Sequence, residues 1–212
     1  EAWRAAIKRE GPTAIALTRQ KLGFIDRDVY GSASGVAQGG YVLADPADGA
    51  APTVVLMSSG SEVALVLEAQ KRLSERGVAA RAVSMPSMEL FAEQDASYRE
   101  SVLPKGVRRV AIEAAHPMPW YRWVGEDGVV MGLDRFGASA PYERVFEELG
   151  LTVERVVGVA GGAWGSACAA AGRCCGGCRR GRSAPTPDRS SPARRRPARP
   201  NGSAGPSKRT PG

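Results

Sequence analysis

The stretch Ser58–Gly77, SSGSEVALVLEAQKRLSERG, decides the fold, because a strand end, a turn, a helix and a stop follow one another within it. Thr53–Met57 (TVVLM), just before it, is a short apolar and β-branched run of the kind that fills a buried strand. Ser59, Gly60 and Ser61 offer a tight turn and hydroxyl N-caps. Glu62 falls in the first helical turn, where the helix dipole favours a carboxylate. Val63, Val66, Leu67, Gln70 and Leu73 keep a stripe at helical spacing, and Gly77 supplies a left-handed stop. Val78–Met85 reads as the next strand. Strand, crossover helix and strand make a β-α-β unit with a buried parallel pair.

Further elements follow outward on both sides. Glu1–Glu10 has the pattern of a helix end, closed by Gly11-Pro12, and Thr13–Leu17 (TAIAL) reads as a buried strand. Residues 21–40 carry Gly23, Gly31, Gly35, Gly39 and Gly40 with little periodicity, the mark of a linker or long loop. Tyr41–Ala44 is a short strand ahead of the turn-forming run Asp45–Ala50. On the other side come helical pieces across Ser87–Leu103, a strand at 107–113, a short helix at Trp120–Val124 and a strand at 128–133. The loop DRFGASAP then leads to a helix at Tyr142–Leu149, with Pro141 placed for the first helical position. The expected fold is α/β: a Rossmann-like three-layer α/β/α arrangement with a mostly parallel sheet.

Composition splits the chain in two. Of 29 Lys and Arg and 22 Asp and Glu, eleven basic residues and one acid (Asp188) lie from Gly158 onward. The tail is therefore +10, and Glu1–Val157, with 18 basic and 21 acidic residues, is −3. The body has the charge of an ordinary acidic domain, so the overall basicity does not argue for a nucleic-acid partner. The tail is rich in Gly, Pro, Ser, Ala and Arg and poor in large apolar residues, so burial there does not offset backbone ordering at ~1–2 kcal/mol per residue. Disorder is expected from 158 to 212. No run approaches the roughly 18 apolar residues that span a bilayer. No signal peptide opens the chain, the cysteine-free body suits a cytoplasmic protein, and Glu1 begins inside a helical pattern as though continuing a longer polypeptide.

Candidate chemistry is sparse. Arg19 stands just past the predicted strand 13–17, where ligands of open α/β sheets bind, and a guanidinium there suits a bidentate phosphate. Ser59-Gly60-Ser61 lacks the spacing of a nucleotide-phosphate loop and reads as a helix cap. His116, the single histidine, has no serine in a nucleophile-elbow pattern and reads as a packing or surface residue. Gly125-Glu126-Asp127-Gly128 resembles the opening of a diphosphate metal motif, yet the chain's one Asn is Asn201, so the segment reads as a turn. Cys168, Cys174, Cys175 and Cys178 crowd too closely for a two-knuckle zinc site. Arg194-Arg195-Arg196 has no neighbouring aromatic residues to stack on bases. No catalytic, cofactor-binding or metal-ligating residue is assigned from these patterns.

Five motifs then appear in order: GSEV (60–63), VSMPS (83–87), QD-x-x-YRESVLP (94–104), WY-x-WVG (120–125) and FG-x-SAP (136–141). With them the chain closely resembles the C-terminal domain of transketolases, and GPTAIALTRQ (11–20) resembles the end of the preceding pyrimidine-binding domain in that family. The resemblance implies residues 1–30 as the end of that domain, 31–50 as a linker and 51–157 as the C-terminal domain; residues 158–212 are left as the disordered tail, for which the abrupt change of composition suggests a shifted reading frame. It implies a glycolaldehyde transferase of the pentose phosphate pathway, which moves a two-carbon ketol unit between sugar phosphates. Such enzymes use thiamine diphosphate with Mg²⁺ or Ca²⁺ and work as cytoplasmic homodimers. The family's cofactor-binding residues lie upstream, so this chain is expected to bind no cofactor and to be inactive alone. Arg19 of Thr18-Arg19-Gln20 matches the family's substrate-phosphate arginine. Two alternatives stay open: a non-catalytic subunit complementing a separate N-terminal half, and the C-terminal part of a related thiamine enzyme. Those relatives are 1-deoxyxylulose-5-phosphate synthase and the dehydrogenase E1 β-subunit, which fit YRESVLP and FG-x-SAP less well.

Overall fold

Strand β2 (Val54–Ser58) is the axis of the fold, with all five residues buried. It pairs in parallel with β3 (Ala80–Ser84) on one side and β4 (Arg108–Ile112) on the other. β5 (Val129–Met131) adds in parallel beyond β4, and β1 (Tyr41–Ala44) closes the far edge antiparallel to β3, giving the order β1-β3-β2-β4-β5. This computed structural model describes residues 1–18 and 20–162. Arg19 lies outside the described residues, as do the four cysteines, the arginine cluster and the expected disordered tail from 163 onward.

The two faces of the sheet are covered separately, as the alternation of a strand requires. Val54 and Leu56 face α2 (Val63–Glu75) and α7 (Val153–Ala160), which contribute Val66, Leu67, Leu73, Val156 and Val157 to one core. Val55 and Met57 face α3 (Met88–Glu93), α4 (Ala96–Val102) and α5 (Tyr121–Val124). That second core holds Phe91, whose ring lies 5.1 Å from Trp123 and 6.2 Å from Tyr98. The three-layer α/β/α architecture is the expected one. The helix after β2 stops as its sequence indicates: Gly77 sits at φ +74°, and Val78 N–H reaches back to the Leu73 carbonyl. The remaining helices are α1 (Ala2–Lys8) and α6 (Tyr142–Glu148).

Four expectations are corrected. Thr13–Leu17 forms no strand; the sheet's edge strands β1 and β5 do not pair with it, and Leu17 is 82% exposed. An apolar run becomes a strand only where a neighbour accepts its backbone. Second, residues 31–50 are not a linker. Ala33–Gln38 forms a 3-10 helix, β1 belongs to the sheet, and Gly31 N–H donates to the Leu43 carbonyl. Third, the proline at 141 is the N-cap of α6 rather than its first helical residue. Finally, α7 runs through residue 157 to Ala160 and buries Val156, Val157 and Ala160, so folded structure passes the expected boundary.

The glycines of the 31–40 segment mark close approach, not slack. Gly39 has φ +79°, and a methyl group there would meet the Phe91 amide and the Ser87 carbonyl. Gly39→Ala combines a left-handed residue with overpacking against backbone, and should cost about 2–4 kcal/mol. Gly137→Ala, in open space without a positive φ, should be near neutral. Urea unfolding of the two variants checks the contrast.

Candidate functional site

The chain leaves β2 toward β3 on one side and later returns to place β4 on the other side of β2. The strand order therefore reverses between β2 and β4, and their carboxyl ends open the crevice where doubly wound sheets bind ligands. Ser58 is level with Ile112 across this gap, so Ser59 and Glu113 are the first residues past the sheet on each side.

Those two residues meet. Ser59 Oγ donates to Glu113 Oε2 at 2.7 Å, and Ser61 Oγ donates to Glu62 Oε1 at 2.6 Å. The expected hydroxyl caps are thus not made: neither Ser59 nor Ser61 caps α2, because each hydroxyl serves a carboxyl group instead. Glu62 is 3% exposed and Glu113 is half-buried. Burial raises the Glu113 pKa above the ordinary glutamate value; the Ser59 hydrogen bond opposes the rise, and the charge of Glu62 adds to it. Trp120, 1% exposed, also holds the Glu113 pKa down. Neither carboxyl group joins an ion pair among the described residues.

A shallow hollow of about 250 Å³ lies beside this cluster. Ser61, Ala64 and Leu65 line one side with Tyr142 and Phe146, and Gln20–Gly23 line the other. The segment that follows Arg19 therefore runs over the start of α2. Ile25 and Tyr30 then pack against the core on the α2 face.

Other sequence candidates are not brought together. His116 is exposed, and its Nδ1 accepts the Met118 N–H at 3.3 Å. Gly125–Gly128 is a turn between α5 and β5, with Gly125 at φ +76°. Among the described residues no three His, Cys, Asp or Glu side chains gather as metal ligands would. The crevice presents two hydroxyls and two carboxyl groups. The sequence reading missed the Ser59–Glu113 contact, since residues 54 positions apart become neighbours only once β4 is known to lie beside β2.

The family model for the transketolase-like TK C-terminal domain matches residues 39–152, more than half of the chain. The chain belongs to the transketolase family. Transketolase from Aquifex aeolicus is 48% identical over 157 residues, covering 73% of this chain and 22% of that protein. Transketolase 1 of Escherichia coli is 48% identical over 158 residues, 74% of this chain and 23% of its own length. Among solved structures, transketolase from Leishmania mexicana superposes with a TM-score of 0.55 at 39% identity, over 60% of this chain and 18% of that one. A Pichia stipitis transketolase in complex with sedoheptulose-7-phosphate gives 0.57 at 31% identity, over 63% and 19%. The chain spans under a quarter of the length of these transketolases.

The Ser59–Glu113 bond, at 2.7 Å, ties the two sides of the crevice together. Ser59→Ala removes a donor from a half-buried carboxyl group and should destabilise the domain by about 1–2 kcal/mol in urea unfolding. It should also push the Glu113 titration further up, because the hydroxyl is the largest influence holding it down. Carboxyl-carbon NMR reads that shift directly.

Proposed function

We propose that this chain serves as the C-terminal portion of a transketolase, a glycolaldehyde transferase that moves a two-carbon ketol unit between sugar phosphates. The observation that carries the reading is 48% identity to curated transketolases over about three quarters of the chain. The Pichia stipitis relative, held in complex with a sugar phosphate, supports that substrate class. Thiamine diphosphate supplies the carbanion chemistry in such enzymes. In this reading the cofactor is held by other domains, and the isolated chain does not turn over. The family setting is a homodimer of the cytoplasmic pentose phosphate pathway. No described helix is long and apolar enough to cross a membrane.

Arg19 is the residue of this chain that we assign to substrate. Its guanidinium offers a planar fork that matches two phosphate oxygens at once. Residues 1–30 belong, in this reading, with the domain preceding the C-terminal one. Trp3, Ile7, Leu17 and Phe24 are 72–92% exposed, and a row of large apolar side chains of that kind favours docking against further transketolase structure. The same exposure favours a second arrangement, in which the chain docks on a separately encoded N-terminal half.

Ketol transfer by the purified 212-residue chain, supplied with thiamine diphosphate and Mg²⁺, should be undetectable; measurable turnover would overturn the assignment. Grafting residues 1–162 in place of the matching segment of Escherichia coli transketolase 1 should give an active chimera. In that chimera Arg19→Ala should raise KM for sugar phosphates roughly 10–100-fold, the loss of one charge-assisted contact of about 1.5–3 kcal/mol. An unchanged KM would remove Arg19 from the substrate site.

A further inference from the structure

The segment that follows Arg19 is seated on the C-terminal domain, and the seat is built from rigid elements. Gln20 is half-buried, and Gln20–Gly23 line the hollow opposite Leu65 of α2, Tyr142 and Phe146 of α6, and Val153 of α7. Leu65, Phe146 and Val153 pack against the core on the α2 face of the sheet. The Tyr142 ring meets Phe146 edge-on, with centroids 6.0 Å apart. The Phe146 carbonyl accepts the Leu151 N–H at 2.8 Å, and Leu151 is buried, so the α6 wall is tied to the core by backbone as well as by side chains.

The chain is held on both sides of Gln20–Gly23. Upstream, Thr18 Oγ1 donates to the Gln20 carbonyl at 3.2 Å, joining the two residues that flank Arg19. Downstream, Ile25 and Tyr30 pack against the same core as Phe146. Tyr30 N–H donates to the Asp26 carbonyl at 3.0 Å, and Gly31 N–H donates to the Leu43 carbonyl of β1 at 2.8 Å. Consecutive Cα atoms stand about 3.8 Å apart, so whatever fixes Gln20 also limits where the Arg19 backbone can go. A bidentate grip on phosphate depends on that placement, because a shift of about 1 Å spoils the geometry of such a contact.

We propose that Phe146 and Thr18 are positioning residues for Arg19. Phe146, with Tyr142 and Leu65, seats Gln20–Gly23, and the Thr18 hydroxyl braces the two residues around the arginine. The C-terminal domain thereby sets where the guanidinium meets the phosphate of a sugar phosphate. The inference rests on the transketolase reading and on Arg19 as its phosphate ligand; neither Phe146 nor Thr18 touches substrate in it. The domain contributes to substrate affinity through the path it imposes on the chain.

Two measurements test the platform. In the 212-residue chain, backbone ¹⁵N relaxation should give Gln20–Gly23 order parameters of about 0.85, falling below about 0.6 in Phe146→Ala. Low values in the wild type, or high values retained in the variant, refute the platform whatever the activity. Should Phe146→Ala fail to fold, Tyr142→Ala removes the other ring of the wall and gives the same comparison. In the Escherichia coli chimera, Thr18→Val and Phe146→Ala should each raise KM for sugar phosphates roughly 3–10-fold, with kcat kept within about twofold. Thr18→Ser should restore the unmutated value. In an Arg19→Ala background the same two changes should leave KM where that substitution put it, since no guanidinium is left to place. A merely structural defect would raise KM equally in both backgrounds, and that result overturns the proposal. If Arg19→Ala alone leaves KM unchanged, the substrate role of Arg19 fails and the platform falls with it. If Arg19→Ala raises KM while Thr18→Val and Phe146→Ala do not, Arg19 keeps its role and the platform alone is refuted.

Discussion

Strand β2 is hydrogen-bonded on both edges and covered on both faces, and the rest of the domain is arranged by what that demands. Its backbone N–H and C=O groups, placed where water cannot reach, need partners along the whole of Val54–Ser58, and β3 and β4 supply them in register. Parallel partners cannot be reached by a tight hairpin, so each connection has to cross a face of the sheet as a helix. α2 crosses on one face, α3 and α4 on the other, and the reversal between them opens at the carboxyl end of β2. The crevice is thus a consequence of where the chain must go, and Ser59, Glu62 and Glu113 are the residues that happen to close over it.

What could be read from the sequence was whatever depends on near neighbours along the chain. Strands β2 to β5 and helix α2 were legible because apolar period, cap and glycine stop all lie within a few residues of each other. Thr13–Leu17 misled, since its composition matches a buried strand while its backbone has no sheet edge to join. The 31–40 segment misled in the opposite direction. Its glycines look like freedom, but Gly39 and Gly40 let the chain pass against Phe91, a contact some fifty residues away that composition cannot reveal. The Ser59–Glu113 contact was invisible for a related reason: Glu113 reads as the polar end of a strand and Ser59 as a helix cap, and only strand order brings them together.

The transketolase family match gives this domain a setting without giving the crevice a reaction. A doubly wound sheet places ligand-binding groups at its carboxyl end by geometry alone, and the same architecture hosts unrelated chemistries. Here that end carries hydroxyls and carboxyl groups in place of glycine-rich phosphate loops. The side of the domain that touches residues 20–25 is more suggestive. Ile25 and Tyr30 seat the incoming chain on the α2 face, so the C-terminal domain sets the path of the polypeptide just after Arg19.

The short strand β1 has a further consequence at the rim of the sheet. Its register slips between Val42 and Ala44, and an irregular edge of four residues is a poor template for another chain's backbone. At the other rim β5 offers only three residues. Neither border invites a foreign strand, so growth of the sheet from molecule to molecule is discouraged at both margins. Self-association of this polypeptide is then left to side chains on its outer helices and its apolar leading segment, contacts that can be tuned by sequence without touching the ladder inside.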